Sequence, residues 1–250
     1  MSWWDIVAIQ PMTNILIVLS HFLFNNSGLA IIAITIAVNL IILPLTMKQI
    51  KSSKAMQDIQ PKLLELQKKY AKDKQKFAQE QMKLYKEAGM SPAGCLLPML
   101  IQMPIWFALY QSVIKMLAAT PEQFLDLGRY LYSWSQVFSV LPLSNQFLWF
   151  DLSIPDAYLI LPILTGATMW VQQKMSTMPS PDPKQQSQSQ MMLWMMPLMF
   201  TFFSLQFASG LALYWVVSSI IRIAIQYFVA GWGGLLPQKT PGQAVVKKTT

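Results

Sequence analysis

One uncharged block near the start of the chain limits the possible folds more than any other feature. Residues 28–47 read GLAIIAITIAVNLIILPLTM and consist mostly of Leu, Ile, Val and Ala. A helix of about 20 residues rises roughly 30 Å, which is the hydrocarbon thickness of a bilayer. The block therefore predicts a membrane span. Thr35 and Asn39 lie one turn apart on one face of this span, where polar groups need a partner or a wet cavity.

The composition extends this prediction to the rest of the chain. Of the 250 residues, 54% are hydrophobic and 12% are charged, and the apolar residues form long blocks. Such a composition indicates a polytopic helical membrane protein. The net charge of +8 is concentrated, because eleven of the nineteen Lys and Arg residues lie within residues 48–86. This distribution favours one basic segment over a DNA-binding surface, and DNA is not an expected partner.

Few residues are available for covalent or metal chemistry. Cys95 is the single cysteine and His21 the single histidine, which excludes an intramolecular disulfide and leaves no Cys/His metal cluster. Apart from Asp156 at the edge of predicted span three, the acidic residues fall outside the predicted spans, so paired intramembrane aspartates are not available for proteolysis. The sequence contains no GxxxxGK[ST] nucleotide-binding loop. We expect no enzymatic activity, no cofactor and no metal. The N-terminus lacks the features of a removable signal peptide.

The order of apolar and polar blocks predicts the architecture. The fold class is an all-α polytopic membrane protein, with a five-span bundle, a cytoplasmic helical hairpin and an N-terminal interfacial helix. The predicted segments are the interfacial amphipathic helix 1–27, span one 28–47, the basic hairpin 48–92, span two 93–119, the outer loop 120–154, span three 155–173, a polar linker 174–190, span four 191–206, span five 210–230 and a basic tail 231–250.

For two of these segments the sequence pattern bears on their position and on helix breaks. Residues 6–24 space apolar side chains three and four apart, and Pro11 is expected to break this helix early. Their polar mix and short link to span one favour a position along the outer interface, and a membrane crossing is the alternative. In the hairpin, a turn near residues 71–74 separates two amphipathic stripes, and Pro61 is expected in a first turn or a kink.

Four blocks, in sequence order, resemble the YidC-type membrane protein insertases of the oxidase-assembly/YidC family. They are VNLIILPLT, GMSPAGCLLPMLIQMPIWFALYQ, FLWFDLSIPDAYLILPILTGATMWVQQKMS and MMPLMFTFFSLQFASGLALYW. The resemblance implies a short form without the large periplasmic domain of some members. It also implies a hydrophilic groove in the inner leaflet that moves short hydrophilic segments of nascent membrane proteins and releases their apolar segments into lipid, without nucleotide hydrolysis.

The same resemblance implies groove positions in this sequence. Thr35, Gln102, Tyr214 and Trp215 match groove positions of the family. The family places an arginine in the first span in a V-R-L setting, and this chain has Asn39 at the corresponding position. Gln102 and Asn39 either line the groove or hydrogen-bond each other across two helices.

Arg222 offers a replacement for the missing arginine. Counted from the start of spans one and five, Asn39 and Arg222 lie at nearly the same depth, roughly 17 Å into the membrane at about 1.5 Å per residue. We hypothesise that the positive charge of the groove has moved from the first span to Arg222 in the fifth. The alternative is that Arg222 extends to the inner headgroups.

Two surfaces and several partners complete the sequence-based prediction. Flexible methionine side chains suit varied apolar partners, so a cluster of methionines predicts a surface that contacts the client. Ordinary packing is the alternative. The residues of this client-contact surface are Met103, Met192, Met195, Met196 and Met199. Ribosome or nascent-chain contact is predicted for the basic side chains of Lys68, Lys69, Lys72, Lys74, Lys76, Lys247 and Lys248. The expected partners are nascent membrane proteins, the lipid bilayer, the ribosome and a Sec-type translocon.

The charge distribution also predicts an orientation and leaves one rival function. The basic hairpin, linker and tail fall on one side of a five-span protein, and the acidic outer loop falls on the other. The N-terminus is therefore expected outside and the C-terminus in the cytoplasm, with the protein in a bacterial plasma membrane. The rival function is a small-solute or ion transporter, which would predict inverted repeats that this sequence does not show.

Overall fold

The computed structural model describes residues 2–71, 73–88, 96–118, 120–133, 144–177 and 183–235. This part of the chain is mainly helical. After a π-helical turn at Asp5–Ile9, the helices are α1 (Gln10–Phe22), α2 (Ser27–Ile41), α3 (Leu43–Lys69), α4 (Lys74–Glu87), α5 (Leu96–Leu117), α6 (Pro121–Leu127), α7 (Ile160–Ser176), α8 (Pro183–Ser204) and α9 (Ser209–Ala230). Strands β1 (Gln146–Phe147) and β2 (Phe150–Asp151) form an antiparallel hairpin, and a 3₁₀ turn at Gly233–Leu235 follows α9.

Helix α9 is the centre of the bundle. It packs most extensively against α7 and α2, and also contacts α3, α5 and α8. Helix α1 packs against α2 and α5, and α8 packs mainly against α7. The side chains of Leu211, Ala212 and Val216 of α9 are buried in one core cluster with residues of α1, α2, α5 and the outer loop. Burial of this apolar surface organises the helices around α9.

The first predicted span is bent. Helix α2 ends at Ile41, α3 begins at Leu43, and the two helices are bent by 62° relative to each other. Pro44 lies in the first turn of α3, where its fixed φ is tolerated but its ring prevents the preceding helix from continuing. The apolar block 28–47 therefore contains a short helix and the start of the hairpin helix. Pro61 lies inside α3 and not in a first turn.

The basic segment folds back on itself. A turn after Tyr70 separates α3 from α4, and Asp73 caps α4 by accepting a hydrogen bond from the backbone N of Lys76 at 3.0 Å. Helix α4 packs against α3, with Leu66 of α3 and Phe77 of α4 half-buried. Their lysine side chains project from the opposite faces into solvent.

Two other boundaries differ from the prediction. Helix α7 begins at Ile160 because Asp156 holds the preceding turn, accepting from the backbone N of Leu161 at 2.7 Å and of Tyr158 at 2.9 Å. Helix α8 begins at Pro183, so residues 183–190 of the predicted polar linker are helical. Proline is favoured in a first helical turn, and Gln is a good helix former, which explains why the helix starts before the apolar block.

A short loop structure closes the bundle at the end opposite to the basic hairpin. The backbone N and the Oγ of Ser209, at the start of α9, donate to the carbonyl of Ile154 at 2.8 and 2.7 Å. The backbone N of Gly210 donates to the carbonyl of Leu152 at 2.9 Å. Asn145 donates from Nδ2 to the carbonyl of Leu117 at 2.8 Å. These bonds satisfy helix-terminal groups and fasten the β1–β2 loop across α5 and α9.

A substitution at Gly28 tests this closure. A Cβ at Gly28 would lie 2.6 Å from the Cβ of Phe147 and would collide with its ring. We expect Gly28→Val to destabilise the protein by about 1–3 kcal/mol, as for other overpacked sites, and to lower its melting temperature in detergent. Gly128→Ala is the control, since the nearest atom to its added Cβ is a carbonyl oxygen at 3.4 Å. Equal melting temperatures for both variants would contradict the packing at Phe147.

Length and hydropathy identify only part of the predicted spans within the described residues. The segment Asp5–Phe22 and α9 are each long and apolar enough to cross a membrane, and α2 with the first part of α3 is a third if the bent pair counts as one span. Pro11 does not break the N-terminal segment but lies in the first turn of α1. The five-span count and the interfacial placement of α1 stay predictions.

Candidate functional site

Polar side chains meet where α2 packs against α9. Both helices run away from the closed end of the bundle, and a Cβ on Gly210 would lie 3.3 Å from Cδ1 of Ile31. The residues one and two turns beyond this contact are polar on both helices. They are Thr35, Asn39, Tyr214 and Ser218, and we call them the polar seam.

The polar seam is packed and not solvent-exposed. The exposed fractions are 0% for Thr35, 5% for Asn39, 4% for Tyr214 and 8% for Ser218. Thr35 Oγ1 donates to the carbonyl of Ile31 at 2.6 Å, and Asn39 Nδ2 donates to the carbonyl of Thr35 at 2.8 Å. Both α2 side chains therefore bond to their own helix, which satisfies these donors without a partner on another helix.

Trp215 connects the polar seam to an aromatic cluster. Its ring stacks on Trp106 of α5, with centroids 6.5 Å apart and an interplanar angle of 10°, and meets Phe200 of α8 edge-on at 5.0 Å. Trp106 stacks in turn on Tyr110 at 5.9 Å. Trp215 is 5% exposed, and its Nε1–H has no hydrogen-bond partner among the described residues. A buried donor without an acceptor is costly and often marks a functional site or an ordered water.

A second polar region lies at the hairpin end of the bundle. Arg222 lines a cavity of about 130 Å³ between the start of α3, the end of α7 and the end of α9. This volume accommodates several water molecules. We call it the polar cavity; its polar lining residues are Thr46, Gln49, Ser53, Lys54, Gln172, Ser176, Arg222 and Gln226.

Asn39 and Arg222 lie at different distances along their helices from one contact between α2 and α9. Measured from the contact between Ile31 and Gly210, Asn39 is eight residues along α2 and Arg222 is twelve residues along α9. The difference of one turn corresponds to about 6 Å. Asn39 does not line the polar cavity. The register at this contact is thus offset by one turn from the counting used in the sequence analysis, and both the equal depth and the groove role of Arg222 stay predictions.

The structure brings some of the predicted groove residues together and leaves one undescribed. Thr35, Asn39 and Tyr214 lie in the polar seam, and Trp215 lies beside it on α9. Gln102 belongs to α5, but its side chain lies outside the described residues, so the alternative hydrogen bond between Gln102 and Asn39 stays open.

The predicted surface residues are exposed wherever they are described. The methionines form an exposed apolar surface on α5 and α8, with exposed fractions from 37% to 52%; they are Met103, Met192, Met195, Met196 and Met199. The described lysines of the hairpin are exposed as well; they are Lys68, Lys69, Lys74 and Lys76. Lys72, Lys247 and Lys248 lie outside the described residues.

Most of the polar cavity was not predictable from the sequence. Gln226 is 8% exposed and its Oε1 accepts a hydrogen bond from Ser176 Oγ at 3.1 Å, which joins α9 to α7. One signal was available, because Gln226 follows Arg222 by one turn within an apolar helix. Ser176 and Lys54 carry no comparable signal, since they lie in polar stretches of sequence.

The architecture and these two polar regions define a class of protein: a helical membrane protein with polar groups buried between its spans and a basic helical hairpin at one end. The chain matches the family described as 60Kd inner membrane protein over residues 18–233. The chain belongs to this family, that of the YidC-type membrane protein insertases.

Individual relatives give the extent of the similarity. The membrane protein insertase MisCA of Bacillus subtilis (strain 168) is 37% identical over 234 residues, which are 92% of this chain and 80% of MisCA. The membrane protein insertase YidC of Syntrophus aciditrophicus (strain SB) is 42% identical over 212 residues, 83% of this chain but only 34% of that relative. A crystal structure of an active YidC insertase, with its first transmembrane domain resolved, superposes with a TM-score of 0.60 at 29% identity, over 91% of this chain and 47% of that one.

Proposed function

We propose that this protein inserts nascent membrane proteins into the bacterial plasma membrane without hydrolysing nucleotide. It moves short hydrophilic segments of a client along the polar seam and releases the apolar segments into lipid. The observation that carries this proposal is the polar seam, whose polar side chains are buried inside the bundle beside Trp215, an indole whose N–H has no hydrogen-bond partner among the described residues.

The physical basis is a shorter path through hydrocarbon. Each unsatisfied backbone group costs several kcal/mol in the membrane core. A client segment that displaces α2 from α9 meets hydroxyl, amide and indole groups over part of that path. The closed outer end, where Ser209 bonds to Ile154, supports a path that enters from the hairpin side and ends within the membrane.

The proposed groove comprises Thr35, Asn39, Gln102, Tyr214 and Trp215. Its described side chains, those of Thr35, Asn39, Tyr214 and Trp215, are buried, so the client enters by separating helices and not by filling an existing channel. When the helices separate at Trp215, its indole N–H becomes exposed and can donate a hydrogen bond to a carbonyl oxygen of the client. Arg222, proposed from the sequence as the positive charge of this groove, also lines the polar cavity at the hairpin end of the bundle.

The exposed methionine surface is the proposed site for the apolar part of the client. It lies on α5 and α8, with Met103 on the former and Met195 on the latter, 43% and 52% exposed. Flexible, polarisable methionine side chains adapt to varied apolar partners. Burial of the client helix in lipid then drives release.

The basic hairpin is the proposed contact for the ribosome and the nascent chain. Lys68 and Lys69 at the end of α3 and Lys74 and Lys76 at the start of α4 are exposed around one turn. A cluster of positive charge attracts ribosomal RNA or acidic segments with a salt-dependent affinity. The proposed orientation places this hairpin and the C-terminus in the cytoplasm and the N-terminus outside. A Sec-type translocon remains a proposed partner.

Reconstitution of the purified full chain into liposomes tests the proposal. A single-span client synthesised in the presence of these liposomes should gain protease protection of its translocated tail without ATP or GTP. Empty liposomes provide the control. Insertion that equals the empty-liposome level, or that requires a nucleotide, would contradict the proposal, and flux of a small solute or ion without insertion would favour the transporter alternative.

A further inference from the structure

We propose that the polar cavity binds the phosphate of an anionic phospholipid headgroup, held by Arg222 and Lys54. The inference uses the proposed orientation, which places the cavity at the level of the inner leaflet. Its other support is independent of insertase activity and comes from the lining of the cavity.

The polar cavity offers two positive charges and no negative one. Arg222 and Lys54 line it, and none of its lining residues, all of which lie in the described part of the chain, is acidic. A guanidinium and an ammonium group are the side chains that bind phosphate most strongly, through charge-assisted hydrogen bonds. Basic pockets between membrane-spanning helices on the cytoplasmic side are known to suit anionic lipid headgroups.

Neutral donors complete the anion site. Ser53 brings a hydroxyl group to the cavity, and Gln49 and Gln172 bring amides, whereas the single hydroxyl proton of Ser176 is already used within the protein. The oxygen of Gln226 already accepts from Ser176, so its amide contributes N–H donors to further contacts. The donor set therefore matches the several oxygens of a phosphate better than the two oxygens of one carboxylate.

The position of the cavity favours a lipid over a client segment. Its lining comes from α3, α7, α9 and the turn after α9, and includes no residue of α5 or α8, the helices that carry the methionine surface. Helix α2 ends at Ile41, shortly before the first α3 residue of the cavity lining, and it exposes Ile36 and Leu40 by 43% and 61%. These apolar side chains offer a surface for the acyl chains of a lipid whose headgroup lies in the cavity.

The test measures lipid binding to the purified full chain in a neutral detergent, without any insertion assay. Short-chain phosphatidylglycerol is titrated against the protein and binding is followed by native mass spectrometry and by the shift in melting temperature. Arg222→Gln and Lys54→Gln should each weaken phosphatidylglycerol binding by about tenfold, as expected for loss of a hydrogen bond to a charged group. Lys51→Gln is the matched control, because it removes a charge one turn away on α3 from a residue that does not line the cavity, and should change binding little.

Two further measurements separate loss of the site from loss of the fold, and lipid binding from binding of free phosphate. Arg222→Lys retains the charge and should retain most of the binding, which separates loss of the site from loss of the fold. Phosphatidylcholine of the same chain length should bind much more weakly than phosphatidylglycerol. Unchanged binding in Arg222→Gln would overturn the proposal, and an equal effect of inorganic phosphate would assign the site to free phosphate and overturn the lipid assignment.

The experiment also separates this proposal from a client site. If Arg222→Gln lowers insertion of clients with acidic tails in vesicles of pure phosphatidylcholine while phosphatidylglycerol binding is unchanged, the cavity serves the client, and the lipid assignment is wrong. Because binding is measured without insertion, loss of phosphatidylglycerol binding supports the lipid site even if the protein fails as an insertase. Insertion with no lipid binding would leave the proposed function intact and overturn only this inference.

Discussion

Trp215→Phe is expected to lower client insertion by roughly two- to tenfold, which corresponds to the loss of one hydrogen bond of about 0.5–1.5 kcal/mol. The variant keeps an aromatic ring against Trp106 and Phe200 but removes the buried Nε1–H that has no partner among the described residues. If a client carbonyl or a water molecule accepts from this N–H during insertion, only the variant lacking it loses that contact. The measurement is protease protection of a client tail in liposomes at equal protein content.

Trp170→Phe is the matched control for this prediction. The Nε1–H of Trp170 is also buried without a hydrogen-bond partner among the described residues, and its ring lies against Trp194 of α8 at 5.7 Å, away from the polar seam. Its replacement should leave insertion unchanged. Equal effects of the two substitutions would attribute the loss to aromatic packing, and the role of the Trp215 N–H in client contact would then be wrong.

Asn14→Leu is expected to lower the free energy of unfolding by about 2–4 kcal/mol, the largest loss of stability among these variants. Each buried backbone group that is left without its hydrogen bond costs about 1–3 kcal/mol. Asn14 is fully buried; its Nδ2 donates to the carbonyls of Gln10 and Tyr130, both at 2.7 Å, and its Oδ1 accepts from the backbone N of Tyr132 at 2.8 Å. One side chain thus holds α1 to the outer loop. A fall in melting temperature of about 2–4 °C per kcal/mol is expected.

Thr13→Val provides the comparison on the same helix. Thr13 is as buried as Asn14, but its Oγ1 has no hydrogen-bond partner among the described residues. Replacing an unsatisfied buried hydroxyl by a methyl group of similar shape should be neutral or stabilising. If Asn14→Leu melts at the temperature of the unmodified protein, α1 does not depend on the outer loop, and its tertiary placement as described here is wrong.

The helical spans were largely predictable because hydrophobicity is a local property of the sequence. The span predicted at 210–230 is helical over Ser209–Ala230, and that at 93–119 over Leu96–Leu117. The predicted helix boundaries were wrong where a polar residue or a proline determines the helix end. Asp156 delays α7 and Pro44 ends α2 early, and such capping effects depend on the backbone conformation of a few residues.

The candidate site was predictable only in part. The identity of polar residues within apolar blocks, such as Thr35, Asn39 and Arg222, is readable from the sequence because each is exceptional in its surroundings. The family followed from the order of four sequence blocks. Which polar residues share a cavity was not readable, since Lys54, Ser176 and Gln226 are far apart in the chain and come together through the packing of three helices.

The sequence by itself determined that this chain is a helical membrane protein with one basic segment, because burial of long apolar blocks in a bilayer outweighs every other local preference. It also determined the family. Only the tertiary structure decided which faces of α2 and α9 pack together, because helix register is fixed by contacts between helices such as Ile31 against Gly210. The same packing buries Thr35, Asn39, Tyr214 and Ser218 in the polar seam and places Arg222, one turn beyond Ser218 on α9, in the lining of the polar cavity.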